Sequence, residues 1–171
     1  MELYEKLKTM KVKEMTAAFN KLNVEKRKEL LNSLTDSERS EFIEKIRKQA
    51  VADFWTEERR LIKEGKCTRD WTPEQIEDIM NITEVKCVES VNGALTYDVN
   101  GEAYYGHHML DVSTHPEFAG EWKIIQALDK KEHYEGAHNN NTKEPTKGYY
   151  DIEKKIRGIW FKDIDRITFF I

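Results

Sequence analysis

Apolar residues recur at helical spacing through the first 64 residues of the chain. The series behind Thr35 and Glu38 is typical of one long helix: Phe42, Ile43, Ile46, Ala50, Phe54 and Leu61. Thr35 and Glu38 form a capping box at its start, and Gly65 is expected to end it. A shorter helix is expected over about 24–34, behind Asn23 as its cap. The alternating charged positions on these helices are interpreted as solvated surface.

A second capping box at 72–75 predicts a two-turn helix that ends at residue 80 or 81. The pattern then changes to the composition and alternation of strands, over 85–91, 95–99 and 102–105. Asn92-Gly93 and Asn100-Gly101 separate these segments and predict tight turns. The pattern therefore predicts an antiparallel sheet after a helical region.

A further short strand is expected over 123–128. Asp129 then has the features of a helix cap, with Glu132 three residues later, and this helix is expected to end near His138. Helices segregated from a small antiparallel sheet indicate an α+β fold.

Composition limits the functions that are open to this chain. Of its 171 residues, 35% are charged, and the net charge of −4 has the wrong sign for a simple nucleic-acid binder. Residues 67–122 contain only Arg69 and Lys86 as cations, so a phosphate-binding face is expected in the C-terminal third. The lack of a Cys-x-x-Cys pair excludes a zinc ribbon or a thioredoxin motif. No membrane span or signal peptide is recognisable, so an exported chain would carry its signal elsewhere, on a longer parent chain.

The five histidines all lie between His107 and His138. Imidazole accepts protons near neutral pH and binds divalent metals, so this segment suggests a metal-dependent hydrolytic site. His107 and His108 are adjacent at the end of a predicted strand and should point to opposite faces, one towards a metal and one towards the substrate. His115 precedes a proline in a loop and is interpreted as a residue that fixes the loop.

His133 and His138 are five positions apart in the predicted site helix. In a regular α-helix this spacing separates two side chains by ~140°. The two histidines can therefore share one metal only if the helix unwinds, and Gly136 is where unwinding is expected.

These elements together resemble the GHH-signature nuclease toxins of the HNH/endonuclease VII superfamily. The resemblance covers about residues 53–150. The segments that carry it are Gly106-His107-His108, His115-Pro-Glu-Phe-Ala-Gly120, Ile124-Ile-Gln-Ala-Leu128, and Glu132-His133 followed by His138. A lead-in also matches: Phe54-Trp-Thr-Glu-Glu58, Gly65 and Thr68-Arg-Asp-Trp-Thr-Pro-Glu-Gln75.

The resemblance implies a fold, a reaction and a set of residue roles. An N-terminal helical segment or linker (1–52) would precede a ββα-metal (His-Me finger) nuclease core within 53–171, and the domain would cleave nucleic acid, usually DNA. His108 would be the general base. The metal ligands would be His107 and His133, with His138 as a possible third, around a divalent ion that the sequence does not identify among Mg, Mn, Ni and Zn.

The resemblance also implies a biological setting. Such domains typically form the C-terminal part of secreted bacterial effectors that act in the cytoplasm of a target cell. The producing cell is protected by a dedicated immunity protein, which would be the second partner beside the nucleic acid. The chain itself carries no recognisable signal peptide.

The family often has an asparagine where this chain has Lys123. Lys123 either contacts phosphate or marks a loss that weakens activity, and the sequence does not decide between these. Four other lysines flank the site helix and have two interpretations, phosphate contacts or solubility: Lys130, Lys131, Lys143 and Lys147.

Two other functions stay open at this point. A degenerate, non-catalytic relative that binds proteins would explain Lys123 and the negative charge, but it gives no reason to retain His107, His108 and His133. A metal-storage or metal-sensing protein would explain the histidines but not the lead-in segment.

Overall fold

The computed structural model describes residues 2–81, 88–89, 95–141 and 148–159. Helices and small antiparallel sheets are both present there, as expected for an α+β protein. The α-helices are α1 (Glu2–Leu7), α2 (Val12–Lys21), α3 (Val24–Ser33), α4 (Asp36–Lys63) and α5 (Pro73–Met80). The strands are β1 (Val88–Glu89), β2 (Leu95–Val99), β3 (Glu102–His108), β4 (Ile125–Asp129), β5 (Tyr149–Asp151) and β6 (Ile156–Ile159), and a π-helix (Glu132–Ala137) follows β4.

The helix starts agree with the predicted caps. The Asn23 side chain accepts the N–H three residues later at 2.9 Å, and the Thr35 hydroxyl accepts the Glu38 N–H at 3.2 Å. At α5 the capping box is complete: the Thr72 hydroxyl accepts the Gln75 N–H, and the Gln75 side chain accepts the Thr72 N–H. Each cap satisfies a backbone donor that the helix itself leaves unpaired.

Helix α4 supplies side chains to two apolar clusters. Its first half places Phe42 and Ile46 in a cluster with α1, α2 and α3. Its second half places Phe54 and Trp55 against the sheet, where Trp55 stacks on Tyr97 of β2 with 4.7 Å between ring centroids. The N-terminal helices and the sheet are therefore held by one continuous helix.

The interpretation of the charged helix positions as solvated surface is wrong at two places. Arg27 is buried and pairs with buried Glu121 at 2.9 Å. Glu58 is fully buried, where it accepts the Thr68 N–H at 2.7 Å and the Thr68 hydroxyl. Alternating charge in a sequence does not distinguish such pairs from surface residues, because their partners lie on other elements.

Strands β1 to β4 form one antiparallel sheet in chain order, and β5 pairs with β6. The turn predicted at Asn100-Gly101 joins β2 to β3, with φ of 51° and 85°. The turn at Asn92-Gly93 and most of the strand expected over 85–91 lie outside the described residues. Strand β4 begins two residues later than predicted, because Trp122–Ile124 form a 3₁₀ turn.

The division into a helical segment (1–52) and a nuclease domain (53–171) stays a prediction. Helix α4 runs through residue 52 without a break. In the part of the chain that the structure describes, no helix has the length and apolar character needed to cross a membrane.

Candidate metal and catalytic site

His107 and His108 end strand β3 and point to opposite faces of the sheet, as neighbouring strand residues must. His107 is 2% exposed and its ring lies against those of His133 and His138. His108 is also buried, and its Nε2 lies 3.1 Å from the Ala119 carbonyl oxygen. The adjacent imidazoles therefore have different surroundings: His107 faces two other histidines, and His108 faces the backbone of the loop after β3.

The helix that carries His133 and His138 has π geometry. The His138 backbone N–H donates to the His133 carbonyl oxygen at 3.1 Å, which is an i to i+5 bond. This wider turn brings the two side chains to one face, with 3.2 Å between their Nε2 atoms. The unwinding expected near Gly136 takes this form: the helix continues through Gly136 with wider π turns.

Gly136 has a packing role in this helix. A Cβ at position 136 would lie 2.7 Å from both Cε1 and Oη of Tyr150 and closer still to Cζ. Tyr150 is held in place by its backbone, which exchanges two hydrogen bonds with the Gln126 side chain at 2.7 and 3.1 Å. Gln126 is the register partner of His107, so this contact connects the π-helix, β5 and the histidine-bearing strand.

His107, His133 and His138 form a compact cluster. Each offers a ring nitrogen, and these atoms lie within 4.8 Å of one another. Two of the buried ring nitrogens, His107 Nε2 and His133 Nδ1, have no hydrogen-bond partner among the described residues. An unpaired buried acceptor is costly, and a cation among the three imidazoles would take one nitrogen from each ring and satisfy His107 Nε2. The donor set therefore fits a divalent metal.

The surroundings of the cluster keep His107 and His133 neutral. Burial lowers the pKa of His107 well below its usual value, and the neighbouring His133 and His138 lower it further. Burial, followed by the nearby His138, lowers the pKa of His133 to about 3. A neutral imidazole presents a lone pair, which is the form that binds a metal ion.

A backbone hydrogen bond orients the His107 ring. The backbone of Gly148 hydrogen-bonds the His107 ring, and because Nε2 has no partner, the bonded nitrogen is Nδ1. Metal-binding histidines commonly donate their second nitrogen in this way, which fixes the ring and its tautomer.

The start of the π-helix is held by an ion pair. Asp129 and Glu132 cap each other, with both side-chain-to-backbone bonds at 2.8 Å, as the sequence predicts. Arg69 donates to the Glu132 carboxylate through two nitrogens at 3.0 and 3.2 Å and to the Ala127 carbonyl at 2.8 Å. Arg69 also lies over the rings of Trp71 and Tyr104. These bonds fix the helix one residue before His133.

His108 lies between the loop after β3 and helix α4. Burial, followed by the positive charge of Arg47 on α4, lowers its pKa to about 4. An imidazole N–H donated to the Ala119 carbonyl leaves the lone pair on the other ring nitrogen, which can accept a proton. His108 is therefore neutral at physiological pH and has the chemistry of a base.

His115 is separate from the cluster. Its side chain is 44% exposed, and Nδ1 lies 3.5 Å from Oε1 of Glu117. Its carbonyl accepts the Phe118 N–H in the 3₁₀ turn after β3. These contacts are those of a loop residue.

The lysines expected at the substrate differ in their placement. Lys130 and Lys131 are exposed at the start of the site helix. Lys123 is half-buried, with its ammonium 5.7 Å from the centre of the Trp122 ring. Lys143 and Lys147 lie outside the described residues.

Several residues that contact or approach the histidines could not be assigned to the site from the sequence. Arg69 belongs to the lead-in, and Gln126 to the expected strand, but neither residue type indicates which histidine it supports. Arg47 belongs to the alternating charges of α4 and approaches His108 only in the folded chain. Their roles come from contacts between elements that are distant in sequence.

A comparison with family models agrees with the motifs. A comparison with curated proteins finds no match to this chain. The model of the Tox-GHH family, described as a GHH signature containing HNH/Endo VII superfamily nuclease toxin, matches residues 37–128. That segment includes His107 and His108 and ends before His133 and His138. The match covers more than half of the chain, which therefore belongs to the Tox-GHH family of HNH/Endo VII superfamily nuclease toxins.

Proposed function

We propose that this protein is a metal-dependent endonuclease toxin that hydrolyses phosphodiester bonds, with DNA as the favoured substrate. Family membership implies a nuclease that acts on nucleic acid. The observation that carries the proposal is the three-histidine cluster beside His108, at the end of the strand that bears the family signature.

In this proposal His107, His133 and His138 hold the divalent metal. Three nitrogen ligands favour Zn or Ni over Mg, which prefers oxygen. An ion held there would supply positive charge to the scissile phosphate and to the departing oxygen. The buried, neutral state of His107 and His133 supports this role.

His108 acts as the general base. It accepts a proton from a water molecule whose oxygen attacks phosphorus, and the bond from phosphorus to the 3′ oxygen breaks. The leaving oxygen takes a proton from solvent. The hydrogen bond between His108 and the Ala119 carbonyl supports this role, because it fixes the ring and its tautomer during the proton transfer.

We assign β3, β4 and the π-helix to a ββα-metal core. Their order along the chain and the antiparallel pairing of β3 with β4 support the assignment. The domain from 53 to 171 would be the nuclease, delivered by a larger secreted effector into the target cell cytoplasm and blocked by an immunity protein in the producing cell.

The substrate backbone would be contacted by lysines near the site helix. Lys130 and Lys131 are exposed beside it, and Lys123 lies at the base of β4. Lys143 and Lys147 complete the proposed set. Phosphate contacts of this kind position the nucleic acid without reading its sequence.

The decisive experiment is plasmid cleavage by the purified protein with Zn, Ni, Mn or Mg, with an EDTA control and an RNA substrate in parallel. We expect metal-dependent cleavage, and His108→Ala should lower the rate by about 100-fold or more. The matched control is His115→Ala, which removes a histidine outside the cluster and should retain activity.

Zinc titration separates the roles of the histidines. His108→Ala should still bind zinc, whereas His133→Ala should lose both zinc binding and cleavage. A folded, zinc-binding protein that cleaves no nucleic acid with any of the metals would contradict the proposal. That result would favour the non-catalytic binding module, and Lys123→Asn would then test whether Lys123 causes the loss.

A further inference from the structure

Helix α4 crosses β3 so closely that it leaves no room for a side chain at Gly106. A Cβ there would lie 2.6 Å from both methyl groups of Val51. One helical turn after Val51, Trp55 stacks on Tyr97, the register partner of Tyr104. The helix and the strand therefore run in opposite directions at this crossing.

This crossing places Arg47 beside His108. Residues 106 and 108 of a strand share one face, about 6.6 Å apart. One turn back from Val51 along α4 is Arg47, about 6 Å away. The two steps match in length and direction, so Arg47 of α4 lies opposite His108 of β3.

The guanidinium of Arg47 has donors to spare. Its Nε is buried and has no hydrogen-bond partner within the described part of the chain. Its contact with Glu44, one turn away on the same helix, is long at 3.5 Å, and the side chain is 38% exposed. A planar group with five N–H donors, partly open to solvent, is suited to bind an oxyanion.

We propose that Arg47 is a catalytic residue that binds a non-bridging oxygen of the scissile phosphate next to His108. The inference rests on the proposed function, because it takes His108 as the base. A water molecule that His108 activates must lie close to the phosphorus, so the phosphate itself must lie close to His108. Arg47 is the cation at that position, and its N–H donors would stabilise the charge that develops on the phosphate oxygens.

One consequence concerns the helical N-terminal region. Arg47 lies before residue 53, on the part of α4 that packs against the first three helices. The helices α1 to α3 would then hold a catalytic side chain in place, and the catalytic unit would extend before the boundary at residue 53 that the family resemblance implies.

The test compares Arg47→Met and Arg47→Lys with Arg60→Met. Arg60 is an exposed arginine of the same helix, so its replacement removes the same charge away from the site. Single-turnover cleavage should slow by about 100-fold in Arg47→Met, as for the loss of one oxyanion donor. Arg47→Lys should recover part of that rate, and Arg60→Met should stay within about two-fold of the parent protein. Zinc affinity should be unchanged in all three.

A second readout does not depend on activity. DNA binding is measured in EDTA over a range of salt concentrations, and Arg47→Met should reduce the slope of log K against log salt by about one. Equal cleavage rates for Arg47→Met and Arg60→Met would overturn the inference. If the parent protein cleaves nothing, the proposed function fails, and an unchanged salt slope in Arg47→Met would overturn the phosphate contact separately.

Discussion

Replacing Gly136 by alanine tests whether close packing holds the π-helix in its metal-binding shape. The added methyl would lie 2.7 Å from Cε1 and Oη of Tyr150, whereas carbon atoms in contact are normally about 3.5–4.0 Å apart. Either the π-helix at residue 136 or the Tyr150 ring must therefore move by about 1 Å. In an ordinary helix the same change would stabilise the fold by about 0.5–1 kcal/mol.

Movement is costly on both sides of this contact. Tyr150 is tied to Gln126 by two hydrogen bonds, and Ala137 beside Gly136 is buried against Tyr150 and Leu128. Overpacking of this kind typically costs about 1–3 kcal/mol. We therefore expect the free energy of unfolding to fall by about 1–2 kcal/mol in Gly136→Ala, despite the better helix propensity of alanine.

The metal site should respond more strongly than the fold. Metal–ligand distances tolerate deviations of about 0.2 Å, and His138 lies two residues beyond the added methyl. A shift of about 1 Å should weaken zinc binding by about 10-fold or more. The assays are calorimetric zinc titration and thermal unfolding of the metal-free protein.

A second substitution provides the control. Gly136→Ala combined with Tyr150→Leu removes the ring that the methyl meets, so zinc affinity should recover at least in part. A single variant that is more stable than the parent protein and binds zinc equally well would refute the packing argument.

Three further predictions concern stability. Arg69→Ala should lower the free energy of unfolding by about 1–3 kcal/mol, because it leaves the half-buried carboxylate of Glu132 without its cation. Arg60→Ala removes an exposed ion pair and should cost at most about 1 kcal/mol. Equal losses for the two variants in urea unfolding would contradict this prediction. Thr72→Ala should lower the free energy of unfolding by about 1 kcal/mol through loss of the α5 cap, and Thr72→Ser should retain the parent stability. A Thr72→Ser variant as unstable as Thr72→Ala in urea unfolding would count against the cap. Arg27→Met should cost about 3–5 kcal/mol at neutral pH. Burial already raises the pKa of Glu121, and loss of the arginine raises this pKa further, so the folded variant holds the Glu121 proton more tightly than the unfolded chain does. The loss of unfolding free energy relative to the parent protein should therefore shrink as the pH is lowered from about 8 to about 5. A loss that does not depend on pH would contradict the buried pair of Arg27 and Glu121.

The helix starts could be predicted because each is decided by a short stretch of chain. Thr35, Thr72 and Asp129 each cap a helix through a residue three positions later, and the structure contains all three sets of bonds. The turn at Asn100-Gly101 was predicted for the same reason, since it depends on two adjacent residues. The start of β4 was not predicted: a 3₁₀ turn precedes it, and its last residue, Ile124, packs with residues of α4 and accepts the Met109 N–H.

The histidines could be selected from the sequence, but their arrangement could not. A spacing of five residues is wrong for two ligands on one α-helical face, so the pair at 133 and 138 looked incompatible with a regular helix. The π register resolves this, and at Gly136 the widened helix packs directly against Tyr150. That contact joins residues that no local pattern relates.

The sequence by itself determined the family, the α+β class, the helix caps and the identity of the clustered histidines, because each depends on short-range order along the chain. The tertiary structure decided which side chains meet. It widened the site helix, separated His107 from His108 on two faces of β3, and brought Arg47, which is 61 positions earlier in the chain, towards His108. These outcomes depend on packing between elements that are distant in sequence. The glycines at 106 and 136 allow the close approach of these elements, and no local sequence pattern encodes which elements will meet.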